Sequence, residues 1–198
     1  MKKIAVTGGL SSGKSTVCQF LTELGAYVVS ADEIVHNLLS SDPNVYQKVV
    51  DLLGSDVLVN NQLNREAIAE KVFSQPKMLH SLESILHPLV LLEIELKYQT
   101  VKNDPRYNLF VAEIPLLYET QKETLFDAVI VVLAEETLCK KRFLKKKRKD
   151  PAKFTQRILR QMPLQEKAAK AHFVLLNNGN LANLKNEVLK LASKLHST

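Results

Sequence analysis

The chain has 198 residues, 45% of them apolar, enough for one α/β domain with an appended piece and a sizeable core. No apolar run is long enough to span a bilayer or act as a secretion signal, and two cysteines without ligand spacing argue against disulfides and zinc and fit a reducing cytosol. The net charge is +6, but residues 140–149 (KKRFLKKKRK) hold eight basic residues and no acid, so the rest carries −2 and the excess is one local patch rather than a broad nucleic-acid face.

Residues 4–7 form a short β-rich run. Residues 8–15, GGLSSGKS, follow at once and match G-x-x-x-x-G-K-[ST] in full. This pattern is a P-loop: its backbone N–H groups cradle a nucleotide's phosphates, Lys14 reaches the β/γ oxygens and the Ser15 hydroxyl ligates Mg²⁺. A helical pattern then opens at Thr16, with Val17, Phe20, Leu21 and Leu24 on one face. Its positive dipole end adds to the phosphate site. Gly8, Gly9, Ser11, Ser12, Gly13, Lys14, Ser15 and Thr16 are therefore the candidate nucleotide contacts.

The helix from Lys14 to Leu24 runs about 16 Å from the rim at 1.5 Å per residue. The strand from Ala26 to Ser30 returns by about the same distance at 3.3 Å per residue. Asp32 then arrives at the rim, where a carboxylate can orient and deprotonate a hydroxyl attacking the γ-phosphate. Its other reading is a helix N-cap. Residues 32–108 read as helices with no convincing strand. Asn64 looks like the cap of a helix through Phe73, Pro76 can open the next, and Ile85, Leu89, Leu92 and Leu96 line one side of it.

The third strand-like run, 109–114, carries Glu113 near its end, placed to act on Mg²⁺ or its waters; a solvated strand-end charge is the alternative. Runs at 128–133 and 173–176 complete the set. Between them lies the basic segment. Like charges at i,i+4 disfavour a helix by a few tenths of a kcal/mol per pair, and a triphosphate would offset that. Arg142 and Lys146 share a face, Asp150-Pro151 caps a second helix carrying Arg157, and Met162-Pro163 ends it. Two cationic helices hinged near Asp150 suit a lid that excludes water and brings charge to the transferring group. A solvated basic face or a nucleic-acid patch would also fit. The alternation predicts an α/β fold: a parallel five-stranded sheet with helices on both faces, one domain over 1–198, with a helical insertion at 32–108 and a basic lid at 138–165.

Taken together, VTGGLSSGKSTV, VVSADEIVH, NREAIAEKVF, ESILHPLV, EIPLLYET and QRILRQMPLQEKAAKAHFVLLNNGN resemble, in order and over nearly the whole chain, the dephospho-CoA kinase family. The resemblance implies a P-loop kinase fold whose insertion binds the acceptor. It implies phosphorylation of the ribose 3′-hydroxyl of dephospho-CoA by ATP with Mg²⁺, the last step of coenzyme A synthesis. Asp32 would be the base, and Arg142 and Arg157 the lid cations on ATP. Lys14 would serve catalysis too, and Asn177 would lie in a loop beside the adenine. Arg65, His87 and Tyr118 would contact the acceptor. Ser11, Ser30 and Lys146 depart from the family's usual glycine, aspartate and arginine, and His172 and Leu176 replace acids. A lysine at 146 keeps charge but loses the planar two-pronged grip on phosphate. The expected protein is a cytoplasmic monomer or weak homo-oligomer with a small-molecule substrate and no stable nucleic-acid or membrane partner. A nucleoside or nucleotide kinase shares the same parts, and a nucleotide-dependent nucleic-acid binder is the reading from another class.

Overall fold

Seven short strands and nine α-helices account for most of a computed structural model that describes residues 1–145 and 150–197. Lys146, and the expected run of basic helix to Lys149, lie outside the described residues. The chain forms two compact units, one of Met1–Ser30 with the chain from Thr100 onward, the other of Ala31–Gln99.

The first unit holds β1 (Lys2–Gly8), α1 (Lys14–Glu23) and β2 (Ala26–Ser30). After the second unit it resumes with β5 (Leu109–Glu113), β6 (Ala128–Leu133), α6 (Glu136–Lys145), α7 (Pro151–Ile158), α8 (Leu164–Lys170), β7 (Phe173–Leu176) and α9 (Leu181–Ser197). The second unit is built from α2 (Ala31–Ser41), α3 (Pro43–Leu53), a small hairpin of β3 (Leu58–Val59) and β4 (Gln62–Leu63), α4 (Arg65–Phe73) and most of α5 (Pro76–Val101).

The five long strands form a parallel sheet in the order β2-β5-β1-β6-β7. Near-continuous Val, Ile and Ala runs suit strands buried on both faces. On one face Ile4, Val6, Val111, Ile130 and Val132 pack with Val17 and Leu21 of α1 and Leu184, Val188 and Leu191 of α9. On the other, Ala5, Phe110, Ala112, Val129 and Val131 are equally sealed. From β1 the chain crosses to one side for β2 and β5, then to the other for β6 and β7. The reversal falls at the carboxyl end of β1, where open α/β sheets bind ligands.

The helical unit has its own core of Leu39, Val45, Val49, Leu53, Val57, Ile68, Val72, Leu82 and Leu86. Its caps are local. The Asp42 side chain accepts from the Asn44 and Val45 N–H groups with Pro43 at N1, and Asn64 accepts from Glu66 and Ala67. Lys71 donates to the Leu53 carbonyl and pairs with Asp56 at 2.6 Å, which holds the Asp56 carboxyl below the usual carboxylate range.

One expectation needs correction here. The segment 32–108 does contain strand, a two-residue pair closed by Asn60 and Asn61 at φ 50° and 58°. Asparagine tolerates this left-handed geometry, which matches the twist of the paired strands. On α5 the buried stripe is Leu82, Leu86, Val90 and Ile94, whereas Leu92 and Leu96 are 56% and 52% exposed. Ile85, Leu89, Leu92 and Leu96 do line one side, at i,i+4 and i,i+3 spacing, but the helix carries two apolar stripes, and periodicity alone cannot tell which one faces the core.

Candidate active site

Residues 8–13 turn sharply from β1 into α1, and the turn depends on backbone only glycine adopts easily. Gly8 has φ 143° and Gly13 φ 102°. A Cβ on Gly13 would stand 2.2 Å from the Asn177 side-chain nitrogen. Ser11, one of the departures from the usual glycine, adopts φ 58°, in the left-handed region. Lys14 is buried, and its ammonium donates to the Gly8 and Gly9 carbonyls at 3.3 and 2.8 Å. The N-terminus of α1 carries no side-chain cap. The buried Ser12 hydroxyl has no hydrogen-bond partner among the described residues.

Ser15 lies in the first turn of α1 and is exposed; its hydroxyl donates to Glu113 Oε1 at 2.9 Å. The sheet brings them together. Val6 pairs with Glu113 across β1–β5, and Ser30 pairs with Glu113 across β2–β5. A hydroxyl and a carboxylate side by side form a hard oxygen pair suited to Mg²⁺, which keeps few protein ligands and relies on phosphate and water for the rest. Cys18, one turn further along α1, is sealed, and burial together with the Glu113 charge pushes its thiol well up, against the pull of Lys14. It stays a protonated core thiol. Thr16 is half-buried.

Asn177, just past β7, is 7% exposed and donates to the Ser12 carbonyl at 2.7 Å. Arg142 on α6 reaches the same place: one terminal nitrogen donates to the Asn177 carbonyl at 2.9 Å and its Oδ1 at 3.4 Å. The other is buried with no partner among the described residues. Phe143 packs beside Phe154, ring centres 5.3 Å apart, and so joins α6 to α7, the helix that Asp150 caps and that carries Arg157 near its end.

The turn after α7 reveals residues that motif reading passed over. The Gln161 side-chain oxygen accepts the Leu10 N–H at 3.1 Å. Met162 N–H donates to Glu119 Oε1 at 2.8 Å. Lys167, fully buried, pairs with the same oxygen at 2.7 Å and donates to the Pro115 carbonyl at 3.0 Å. Thr7 donates to that carbonyl as well, at 3.2 Å. Glu119, Gln161 and Lys167 sit inside strings that carry the resemblance, but nothing in their spacing pairs residues so far apart. Tyr118 is 2% exposed, with its hydroxyl lacking a partner among the described residues; burial, then Glu123, raises its pKa.

In the helical unit, Asp32 is exposed in the first turn of α2. The helix starts at Ala31, so Asp32 lies within it rather than at its cap. Arg65 is the exposed first residue of α4, and His87 lies half-buried on α5 beside the in-helix Pro88. Among the described residues no helix is long and apolar enough to cross a membrane.

The sequence profile of the dephospho-CoA kinase family matches residues 2–183. A dephospho-CoA kinase of Protochlamydia amoebophila is 49% identical over 196 residues, spanning 98% of this chain and 97% of its own. Among solved structures, TT1252 from Thermus thermophilus superposes with a TM-score of 0.80 at 29% identity, covering 98% of this chain and 97% of its own. A dephospho-CoA kinase from Campylobacter jejuni gives 0.71 at 25% identity over the same shares.

Proposed function

The chain belongs to the dephospho-CoA kinase family, and from that premise we propose how its own residues carry the reaction. It catalyses ATP-dependent phosphorylation of dephospho-CoA to coenzyme A, the last step of coenzyme A biosynthesis. Membership implies ATP with Mg²⁺, and a cation bound beside the phosphates neutralises charge that would otherwise repel the attacking oxygen.

In this reading Gly8, Gly9 and residues 11–16 hold the β- and γ-phosphates through backbone N–H groups and the Lys14 ammonium. The ammonium's bonds to the Gly8 and Gly9 carbonyls hold it at this loop, which supports its part in the grip. Ser15 and Glu113 hold the metal. Asp32 accepts the proton of the ribose 3′-hydroxyl. Chain connectivity supports this assignment, because Asp32 is two residues beyond Ser30, the sheet partner of Glu113, and two peptide units reach about 7.6 Å at most. Arg142, Arg157 and Lys146 are the lid cations, with Arg142 at the Asn177 loop where a nucleoside would meet it. Arg65, His87 and Tyr118 are assigned to the acceptor, Tyr118 through its unpartnered hydroxyl. Nothing in this division of labour calls on a nucleic acid, a membrane or a second copy, and it suits a cytoplasmic monomer or weak homo-oligomer.

The observation that carries the reading is the Ser15–Glu113 hydrogen bond at the mouth of the phosphate loop. A hydroxyl beside a carboxylate at this point supports assigning the pair to the metal. The test incubates the purified chain with MgATP and dephospho-CoA and follows a product heavier by one phosphate. Asp32→Asn should keep nucleotide binding and lower kcat by about 10²–10⁴-fold, the usual reach of general-base catalysis. A near-normal rate removes Asp32 from the base role. Transfer to nucleosides or nucleotides, with none to dephospho-CoA, overturns the acceptor.

A further inference from the structure

Leu10 is the one residue of the phosphate-loop motif given no part in holding nucleotide, and the structure gives its N–H another partner. Gln161, in the turn between α7 and α8, accepts it at 3.1 Å. The turn is gripped at three further points. Leu164 lies over Gly9, so that a Cβ on that glycine would stand 3.5 Å from its methyl carbon. Met162 N–H and the Lys167 ammonium converge on one oxygen of Glu119, at 2.8 and 2.7 Å. Lys167 also holds the Pro115 carbonyl, which Thr7 of β1 shares. Residues 161–167 thus bridge the phosphate loop and the loop that follows β5.

A fully buried lysine is a costly way to fasten a loop, because its charge must be matched in geometry as well as in sign. Such a pair holds position better than it adds stability. The end of α7 leads directly into this clamp. Arg157 is four residues before Gln161 and Arg160 is next to it, and the Gln161 N–H closes the turn on the Ile158 carbonyl at 2.9 Å.

We propose that Gln161 is a positioning residue for phosphoryl transfer. Its side-chain amide tethers the α7–α8 turn to the phosphate loop, so that Arg157 is presented to the triphosphate already oriented. The role rests on the kinase reading above. It adds to that reading a residue that touches neither phosphate nor acceptor and acts only through the placement of a cation. A cation fixed before the substrate arrives stabilises developing charge without reorganising at the moment of reaction. One that must be ordered in each turnover loses part of that benefit to side-chain entropy.

The experiment compares wild type, Gln161→Met, Arg157→Ala and the double variant, all as the full chain with MgATP and dephospho-CoA. Methionine keeps the length and removes the acceptor oxygen. Loss of one hydrogen bond corresponds to roughly three- to tenfold, and the loss should appear in kcat. The KM for dephospho-CoA should stay within about twofold and the melting midpoint within about 2 °C, because this is a partly exposed contact rather than core. In the Arg157→Ala background the same substitution should cost less than about twofold, since coupled residues are not additive. Equal losses in both backgrounds, an unchanged kcat, or a loss that tracks a lower melting midpoint would each overturn the tether. Wild-type turnover separates the two levels: its absence sinks the kinase reading itself, and its presence without a Gln161→Met defect sinks the tether alone.

Discussion

The sheet-bearing unit and the helical unit put functional residues in place by different physics. Around the phosphate loop, position is set by backbone. Strand register sets Glu113 beside Val6 and Ser30, positive-φ turns shape residues 8–13, and bonds from Asn177 and Gln161 reach the loop from far along the chain. In the helical unit, order comes from end caps within three residues and from apolar stripes, while Asp32 and Arg65 stand exposed near helix starts. A register error in the sheet would move Glu113 away from the phosphate loop in one step. A helix face can drift slightly without breaking a bond. The first unit should therefore fail sharply and by chemistry, the second gradually and by packing.

The largest contrast should come from Lys14→Ala. Removing a preorganised cation from a phosphoryl-transfer site costs on the order of 10³-fold or more in turnover. The fold should survive with a lowered melting midpoint, because only one of the two freed carbonyls, that of Gly8, is buried, while that of Gly9 lies in a partly exposed loop. Steady-state kinetics with circular dichroism checks both halves. A variant that unfolds would make Lys14 a structural member of the loop and erase the contrast.

In the helical unit the matching test is one of packing. Val49 is fully buried and Leu92 is 56% exposed. Val49→Ala should cost about 2 kcal/mol through lost burial and the cavity left behind, a fall of roughly 4–8 °C in melting midpoint for a chain this long. Leu92→Ala should stay within about 0.5 kcal/mol. Comparable losses at both positions would mean that the Ile85–Leu96 stripe is covered in solution, against the burial seen here.

What the sequence disclosed follows the same division. The P-loop, the caps at Asn64 and Asp150, and the five-strand alternation were legible because each is local chemistry written in adjacent residues. The Ser15–Glu113 bond was half legible: each residue could be nominated, but their meeting depends on β1 and β5 being neighbours. Gln161, Glu119 and Lys167 were illegible, because their partners lie 151, 43 and 48–52 residues away and a pairing has no period to detect. The buried face of α5 was illegible for the opposite reason, since the helix offers two periodic apolar stripes. The hairpin at Asn60-Asn61 was there to be read, its turn residues being ones that accept positive φ, but strands of two residues leave no alternation to confirm it.

The smallest expected effect tests how much strain the phosphate loop holds. Ser11 sits at φ 58°, where a side chain other than asparagine or glycine is uncommon. Ser11→Gly relieves about 1 kcal/mol of backbone strain, but glycine also gives the unfolded chain more freedom, worth about 0.4–1 kcal/mol in the other direction. The two nearly cancel, so the melting midpoint should move by less than about 2 °C, and kcat should stay within about twofold because the loop N–H groups are unchanged. Ser11→Val separates the two contributions. It restricts the unfolded chain, yet a β-branched residue at this φ is a genuine outlier, so the folded state should lose stability while the unfolded state gains no freedom. A valine variant as stable as wild type would mean that the loop relaxes out of this geometry in solution. The sharp, backbone-set character assigned to the sheet-bearing unit would then fail at the point where it matters most.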